Sequence, residues 1–150
     1  MGTAPAIRIP AAERIDLPAR RESLATGREF VRTALTREGW GGEPLEGVAL
    51  AVSEALTNAV EHGSRPGAPV AVEVRTSEGR ARIRIADGGR PGAVTPSPLR
   101  AAPPPSSDHG RGLIIMGALA DALEVRRAGR GTAVVLTFTL PGAPATARTG

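Results

Sequence analysis

Glu54, Asn58 and Glu61 stand at i, i+4 and i+7 in the stretch from Ala49 to Gly63. At about 100° per residue these spacings gather them into one narrow polar arc of a helix. Two carboxylates and a carboxamide gathered on one arc are a good place for chemistry. On the other side Leu45, Val48, Ala49, Val52, Leu56, Ala59 and Val60 make a wide apolar stripe. Such a stripe must bury against a sheet or another helix, which holds the polar trio on a rigid support. A plain water-facing surface satisfies the same three residues, and this helix alone does not choose between the two.

Three glycine-containing groups add to the arc: Asp87-Gly88-Gly89, Gly110-Arg111-Gly112 and Gly131-Thr132. Asp-Gly-Gly is either an ordinary turn or a placed acceptor. Glycines that open a helix expose unpaired N–H groups, which bind phosphate with the help of the helix dipole. That matters here because the chain has no lysine, and a P-loop requires one.

Elsewhere the pattern supplies elements to position these groups. Ala6 to Pro10 reads as a short first strand, and a helical pattern runs from about Arg20 to Trp40, closed by Gly39 and Gly41-Gly42. The two-faced helix follows from about Glu43 to Gly63. Val70, Val72 and Val74, then Ala81, Ile83 and Ile85, alternate with polar residues about a turn at Ser77-Glu78-Gly79; this is a hairpin with one buried face. Gly88 to His109 is proline-rich and aperiodic. So long a loop suits a lid or a linker, and a mobile lid is favoured because little chain follows it. A helix through about Asp121 comes next. Strands at Leu123–Arg127 and Ala133–Leu140 close the pattern, with a disordered tail expected over 141–150. The order implies an α+β two-layer sandwich with helices on one face of a largely antiparallel sheet.

Composition bounds the function. The 150 residues suit one domain, with no membrane span and no signal peptide pattern, so a cytoplasmic protein is expected. Lack of cysteine excludes disulfides and thiolate metal sites. The net charge of +4 comes entirely with arginine. The arginines are scattered along the chain and aromatic residues are scarce, which argues against direct nucleic-acid binding. The excess of Ala, Gly, Arg and Pro reads as codon bias.

Taken together, the Glu-x-x-x-Asn helix, Asp-x-Gly at a strand end, Gly-x-Gly at a helix start and Gly-Thr entering the last strand resemble the GHKL ATPase superfamily. The resemblance runs over about residues 7 to 140 and is closest to the bacterial anti-sigma-factor serine/threonine kinases. It implies the Bergerat-type sandwich with a mixed, mostly antiparallel sheet and an ATP lid over about 88–110. It also implies ATP and Mg²⁺, with Asn58 ligating the metal and Glu54 as the catalytic base. Asp87 would accept from the adenine amino group, with Gly89 letting the backbone pass close to the base. Gly110, Arg111 and Gly112 would bind phosphate, and Thr132 would support the adenine site. Pro91 stands where the family's second G1-box glycine belongs, which bears on lid entry. Glu61 has no specific counterpart, and His62 can approach phosphate or cap the helix end.

Within the superfamily, no transducer domain is present in the sequence. Neither His62 nor His109 is free of the nucleotide motifs to serve as a phospho-accepting histidine. The resemblance therefore implies a kinase that binds a sigma factor and phosphorylates a STAS-type anti-anti-sigma protein, often as a homodimer. A non-catalytic ATP-binding interaction module is the alternative.

Overall fold

The computed structural model describes residues 11–91 and 111–143. The expected strand at 6–10, most of the lid, Gly110, His109 and the end of the tail lie outside the described residues. Strand β1 (Ala11–Pro18) leads into helix α1 (Ser23–Arg37) and helix α2 (Gly42–Asn58), which continues as a π turn over Ala59–Gly63. Strands β2 (Pro69–Ser77) and β3 (Arg80–Ala86) follow, then helix α3 (Arg111–Leu119) and strands β4 (Ala122–Ala128) and β5 (Gly131–Thr139).

The sheet order is β1-β2-β3-β5-β4, and every neighbouring pair of strands is antiparallel. Among the described strands this is the mostly antiparallel α+β sandwich that the resemblance implies. The one parallel pairing is an isolated bridge between Ser64 and Gly89. Strand β1 was missed in the sequence because its apolar signal is confined to Ile15 and Leu17. Its other residues are mostly charged or small, as befits an edge strand. The β2–β3 turn has positive φ at both Glu78 (49°) and Gly79 (78°), the type I′ geometry that matches strand twist.

One face of the sheet carries Val70, Val72, Val74, Ile83, Ile85, Leu136 and Phe138, all buried under the helices. Against them α2 sets Val48, Val52, Leu56 and Ala59, also buried; Leu45 and Val60 are partly buried at the margin. The stripe read from the sequence is therefore the face that docks α2. Helix α2 packs against both α1 and α3, and Arg32 of α1 clamps Glu46 of α2 through two hydrogen bonds of 2.6 and 3.0 Å. With its apolar side fixed, α2 can turn its polar arc only toward α3.

Candidate functional site

Two groups of residues form around α2, one near its middle and one at the end of its π turn. At the first, Glu54 and Asn58 are half-buried, and the buried Gly112 of α3 lies directly against them. A Cβ at Gly112 would stand 3.1 Å from Glu54 Oε2 and 3.4 Å from Asn58 Nδ2. Only a glycine lets the start of α3 come so near without pressing on those side chains. The carboxylate beside a helix N-terminus is electrostatically favourable. Arg111 is exposed next to it.

The second group is built by strand register. Ala86 pairs with Ala133 across β3 and β5, so the next residues, Asp87 and Thr132, meet at the sheet end. The Asp87 N–H donates to the Thr132 carbonyl at 3.0 Å. In return Asp87 Oδ1 accepts from the backbone N–H of Thr132 at 3.1 Å and of Gly89 at 3.0 Å. No described residue donates to Oδ2. Burial pushes the Asp87 carboxyl above its ordinary value, and the two backbone hydrogen bonds pull against that rise.

Glycines wall this carboxylate. A Cβ at Gly63 would collide with Oδ2 and stand 2.5 Å from Cγ; one at Gly131 would collide with the Asp87 carbonyl and stand 2.6 Å from Oδ1. Gly89 has φ +79° and lies against the Arg130 carbonyl with no room for a side chain. Its close approach is therefore to the β4–β5 turn. Gly88 has nothing within 4 Å. Ser64, next to Gly63, is buried, and its hydroxyl has no hydrogen-bond partner among the described residues.

The π turn connects the two groups. The sequence predicts one continuous α-helix to Gly63, but the α-helical pattern ends at Asn58 and widens over Ala59–Gly63. Such π segments concentrate at functional sites. Here the turn delivers Gly63 to Asp87 while Asn58 stays over α3. It also separates Glu61 from Glu54 and Asn58, the other two residues of the arc: Glu61 is exposed, with its carboxylate 4.0 Å from His62 Nε2.

Of the expected site residues, the structure thus brings Glu54, Asn58 and Gly112 together, and separately Asp87, Gly89 and Thr132. Gly110 falls outside the described residues. Gly63 and Gly131 are additional wall residues. Gly63 reads in sequence as a helix stop, and its contact with a carboxylate distant in sequence leaves no local signal. Gly131 was visible only as the companion of Thr132. Among the described residues, no cluster of three or more His, Cys, Asp or Glu side chains suits a metal. The oxygen atoms of Glu54 and Asn58 fit a hard cation that keeps several waters and binds through phosphates.

The model of the histidine kinase-like ATPase domain family matches residues 17–138, which takes in both groups. The chain belongs to that family. Among curated relatives, the serine-protein kinase RsbW of Listeria innocua is 35% identical over 78 residues, covering 50% of this chain and 49% of the relative. The RsbW of Listeria monocytogenes serovar 1/2a is likewise 35% identical over 78 residues, with the same coverage. The matched stretch thus spans about half the length of these relatives. In solved structures, the fold of this histidine kinase-like ATPase domain is shared with the RsbU and RsbW domains of Rv1364c from Mycobacterium tuberculosis. That match has TM-score 0.63 and 22% identity, and covers 86% of this chain and 32% of the other. No helix among the described residues is long and apolar enough to cross a membrane.

Proposed function

We propose that this chain is an ATP-dependent serine/threonine protein kinase of the anti-sigma type, transferring phosphate to a STAS-type anti-anti-sigma protein. The observation that carries the reading is the pairing of two chemistries along one helix. Asp87, whose Oδ2 accepts from no described residue, lies at the far end of the π turn, and Asn58 and Glu54 lie against Gly112 roughly one and a half to two and a half turns back. The serine-protein kinase relatives support the same assignment.

In this reading Asp87 Oδ2 accepts a hydrogen bond from the adenine amino group. Guanine carries a carbonyl at the equivalent position and leaves the acceptor unpaired, so ATP is selected. Asn58 Oδ1 holds Mg²⁺, which neutralises phosphate charge when bound. Backbone N–H groups at the opening of α3, with Arg111, face the phosphates. Glu54 takes the proton of the partner's hydroxyl as its oxygen bonds to the γ-phosphorus. The bond from that phosphorus to the β–γ bridging oxygen breaks, and ADP leaves. Residues of about 7–140 act as one module, Thr132 holds Asp87 in place, and the segment near 88–110 serves as the lid. The sigma factor and a second copy of the chain are the further partners of this reading, and the cytoplasm its location.

The test is calorimetric titration with ATP and with GTP, with and without Mg²⁺, followed by incubation of labelled ATP with candidate STAS partners. Wild type should bind ATP over GTP and transfer label. Glu54→Gln should keep ATP binding and lose transfer by about 10²–10⁴-fold. Undiminished transfer by Glu54→Gln removes Glu54 as the base. ATP binding without transfer to any partner makes the chain a nucleotide-sensing interaction module instead.

A further inference from the structure

The face of the sheet turned away from the helices carries an unbalanced set of arginines. Scattered in sequence, they are collected by the two-residue period and the strand register. Arg75 on β2 pairs directly with Arg82 on β3. On the same face, Arg84 lies beside Glu73, and Arg14 of β1 lies on the other side of Glu73.

The carboxylates of this face are already engaged. Asp16 and Glu73 meet Arg14 at 3.1 and 3.4 Å, Glu73 also meets Arg84 at 3.9 Å, and Glu124 of β4 meets Arg126. Arg75 and Arg82 are exposed and make no ion pair with any described residue. Like charges directly opposed on neighbouring strands destabilise a sheet, so the fold carries this pair at a loss that a bound anion relieves.

From this we infer that the open sheet face, centred on Arg75 and Arg82, docks an acidic segment of another protein. Neighbouring strands place the two guanidinium groups about 5 Å apart at their roots, and Arg84 about 7 Å farther along β3. That spacing suits carboxylates on alternate residues of an extended segment or on successive turns of a helix. Guanidinium forks bind carboxylates in paired fashion.

Three other occupants fit less well. The chain itself has one carboxylate side chain outside the described residues, Asp108, so it supplies no acidic segment of its own. A second copy stacked on this face brings the same arginine excess and no unengaged carboxylate. A nucleic-acid backbone would run over Asp16, Glu73 and Glu124, and the face offers no aromatic ring for base stacking. The inference stands apart from the phosphotransfer reading, because this surface lies across the sheet from α2.

The experiment is fluorescence anisotropy with a labelled glutamate–alanine repeat peptide and, in parallel, a labelled DNA duplex. Wild type should bind the peptide, and Arg75→Gln/Arg82→Gln should weaken it at least ~tenfold. Arg20→Gln/Arg21→Gln removes the same charge from exposed positions ahead of α1 and should stay within about twofold of wild type, as surface charges alone contribute little. The Arg75/Arg82 variant relieves a repulsion, so its thermal midpoint should hold or rise; Arg75→Lys/Arg82→Lys keeps the charge and should bind between the two. The inference is overturned by no peptide binding to wild type or by equal losses in both glutamine variants. Tighter DNA binding that depends on Arg75 and Arg82 overturns it in favour of nucleic acid. Wild-type dimers in sedimentation that the Arg75/Arg82 variant dissolves overturn it in favour of self-association.

Discussion

Three glycines near Asp87 make a graded test of the adenine end, because alanine meets something different at each. At Gly88 a new Cβ meets nothing within 4 Å; at Gly63 it meets the end of the Asp87 side chain; at Gly131 it meets the Asp87 backbone carbonyl. None of the three has positive φ, so strain of the new residue itself does not confuse the comparison. Gly88→Ala should leave stability within about 0.5 kcal/mol. Gly63→Ala can be accommodated by swinging the Asp87 carboxylate aside, at the loss of its hydrogen bonds from the Gly89 and Thr132 N–H groups. Fully buried, two such bonds to a carboxylate are worth about 1.5–3 kcal/mol each. Asp87 is half-exposed, and alanine stiffens the unfolded chain by about 0.4–1 kcal/mol, so a net loss of about 1–2 kcal/mol remains. Gly131→Ala presses on backbone between β3 and β5, where no side chain can move away. About 2–4 kcal/mol is expected there, from overpacking and the disturbed Asp87–Thr132 pair. Thermal unfolding should read these as steps of about 2–4 °C per kcal/mol. Calorimetry should show Gly63→Ala losing at least ~tenfold in ATP affinity while still folded. An unchanged ATP affinity in Gly63→Ala, or a Gly88→Ala loss as large as that of Gly131→Ala, refutes the reasoning.

Further expectations concern the charges at each end of α2. Burial holds the Asp87 carboxyl above its ordinary 3.8, so the folded chain binds that proton more readily than the unfolded one. Its contribution to stability is therefore fullest below about pH 3.8 and declines as pH rises through the folded value. Asp87→Asn should thus gain stability relative to wild type as pH climbs from acid to neutral, measured by denaturant unfolding, while ATP binding fails; a wild-type advantage growing with pH contradicts this. Asn58→Ala should bind ATP with no enhancement by Mg²⁺ in calorimetry, and an intact enhancement removes Asn58 as the ligand. Gly112→Ala should hold or raise the thermal midpoint, since alanine favours a helix by about 1 kcal/mol. Its Cβ, 3.1 Å from Glu54 Oε2, should shift that carboxylate and lower phosphotransfer by about 10–100-fold; full activity would show that Glu54 tolerates the push.

Local periodicity made α1, α2, both hairpins and α3 legible to within a few residues, because each has an apolar face that must be buried. Leu56 and Val52 at helical spacing, and Ile83 and Ile85 at strand spacing, leave few other solutions. Strand β1 escaped because an edge strand with Arg14, Asp16 and Glu13 has little apolar alternation to detect. The π turn escaped for a different reason: nothing in Ala59-Val60-Glu61-His62-Gly63 differs locally from an α-helix. Its widening follows from where Gly63 must end, against a carboxylate 24 residues later in the chain. Glu54, Asn58, Asp87 and Thr132 were legible as candidates from type and spacing. That Gly63 and Gly131 wall Asp87 was not, since glycine in a sequence reports permission for a close approach and never its partner.

Those wall glycines also bear on why one helix should carry both ends of the site. A nucleotide bridging Asp87 and Asn58 needs a fixed distance between them, yet they sit on different layers, one at a strand end and one on a helix. Strand register fixes Asp87 against Thr132, and the apolar stripe fixes α2 on the sheet. Neither of these sets how far α2 slides along its own axis. Gly63 does, because it stops with the Asp87 carboxylate directly against its Cα, and Gly112 does so again from α3, against Glu54 and Asn58. Two contacts closer than a Cβ could meet without a shift of the facing side chain, at separate points on the same helix, therefore hold its axial position. Small-residue contacts serve that purpose better than large apolar ones, since a leucine can change rotamer and absorb a shift whereas backbone against a side chain cannot.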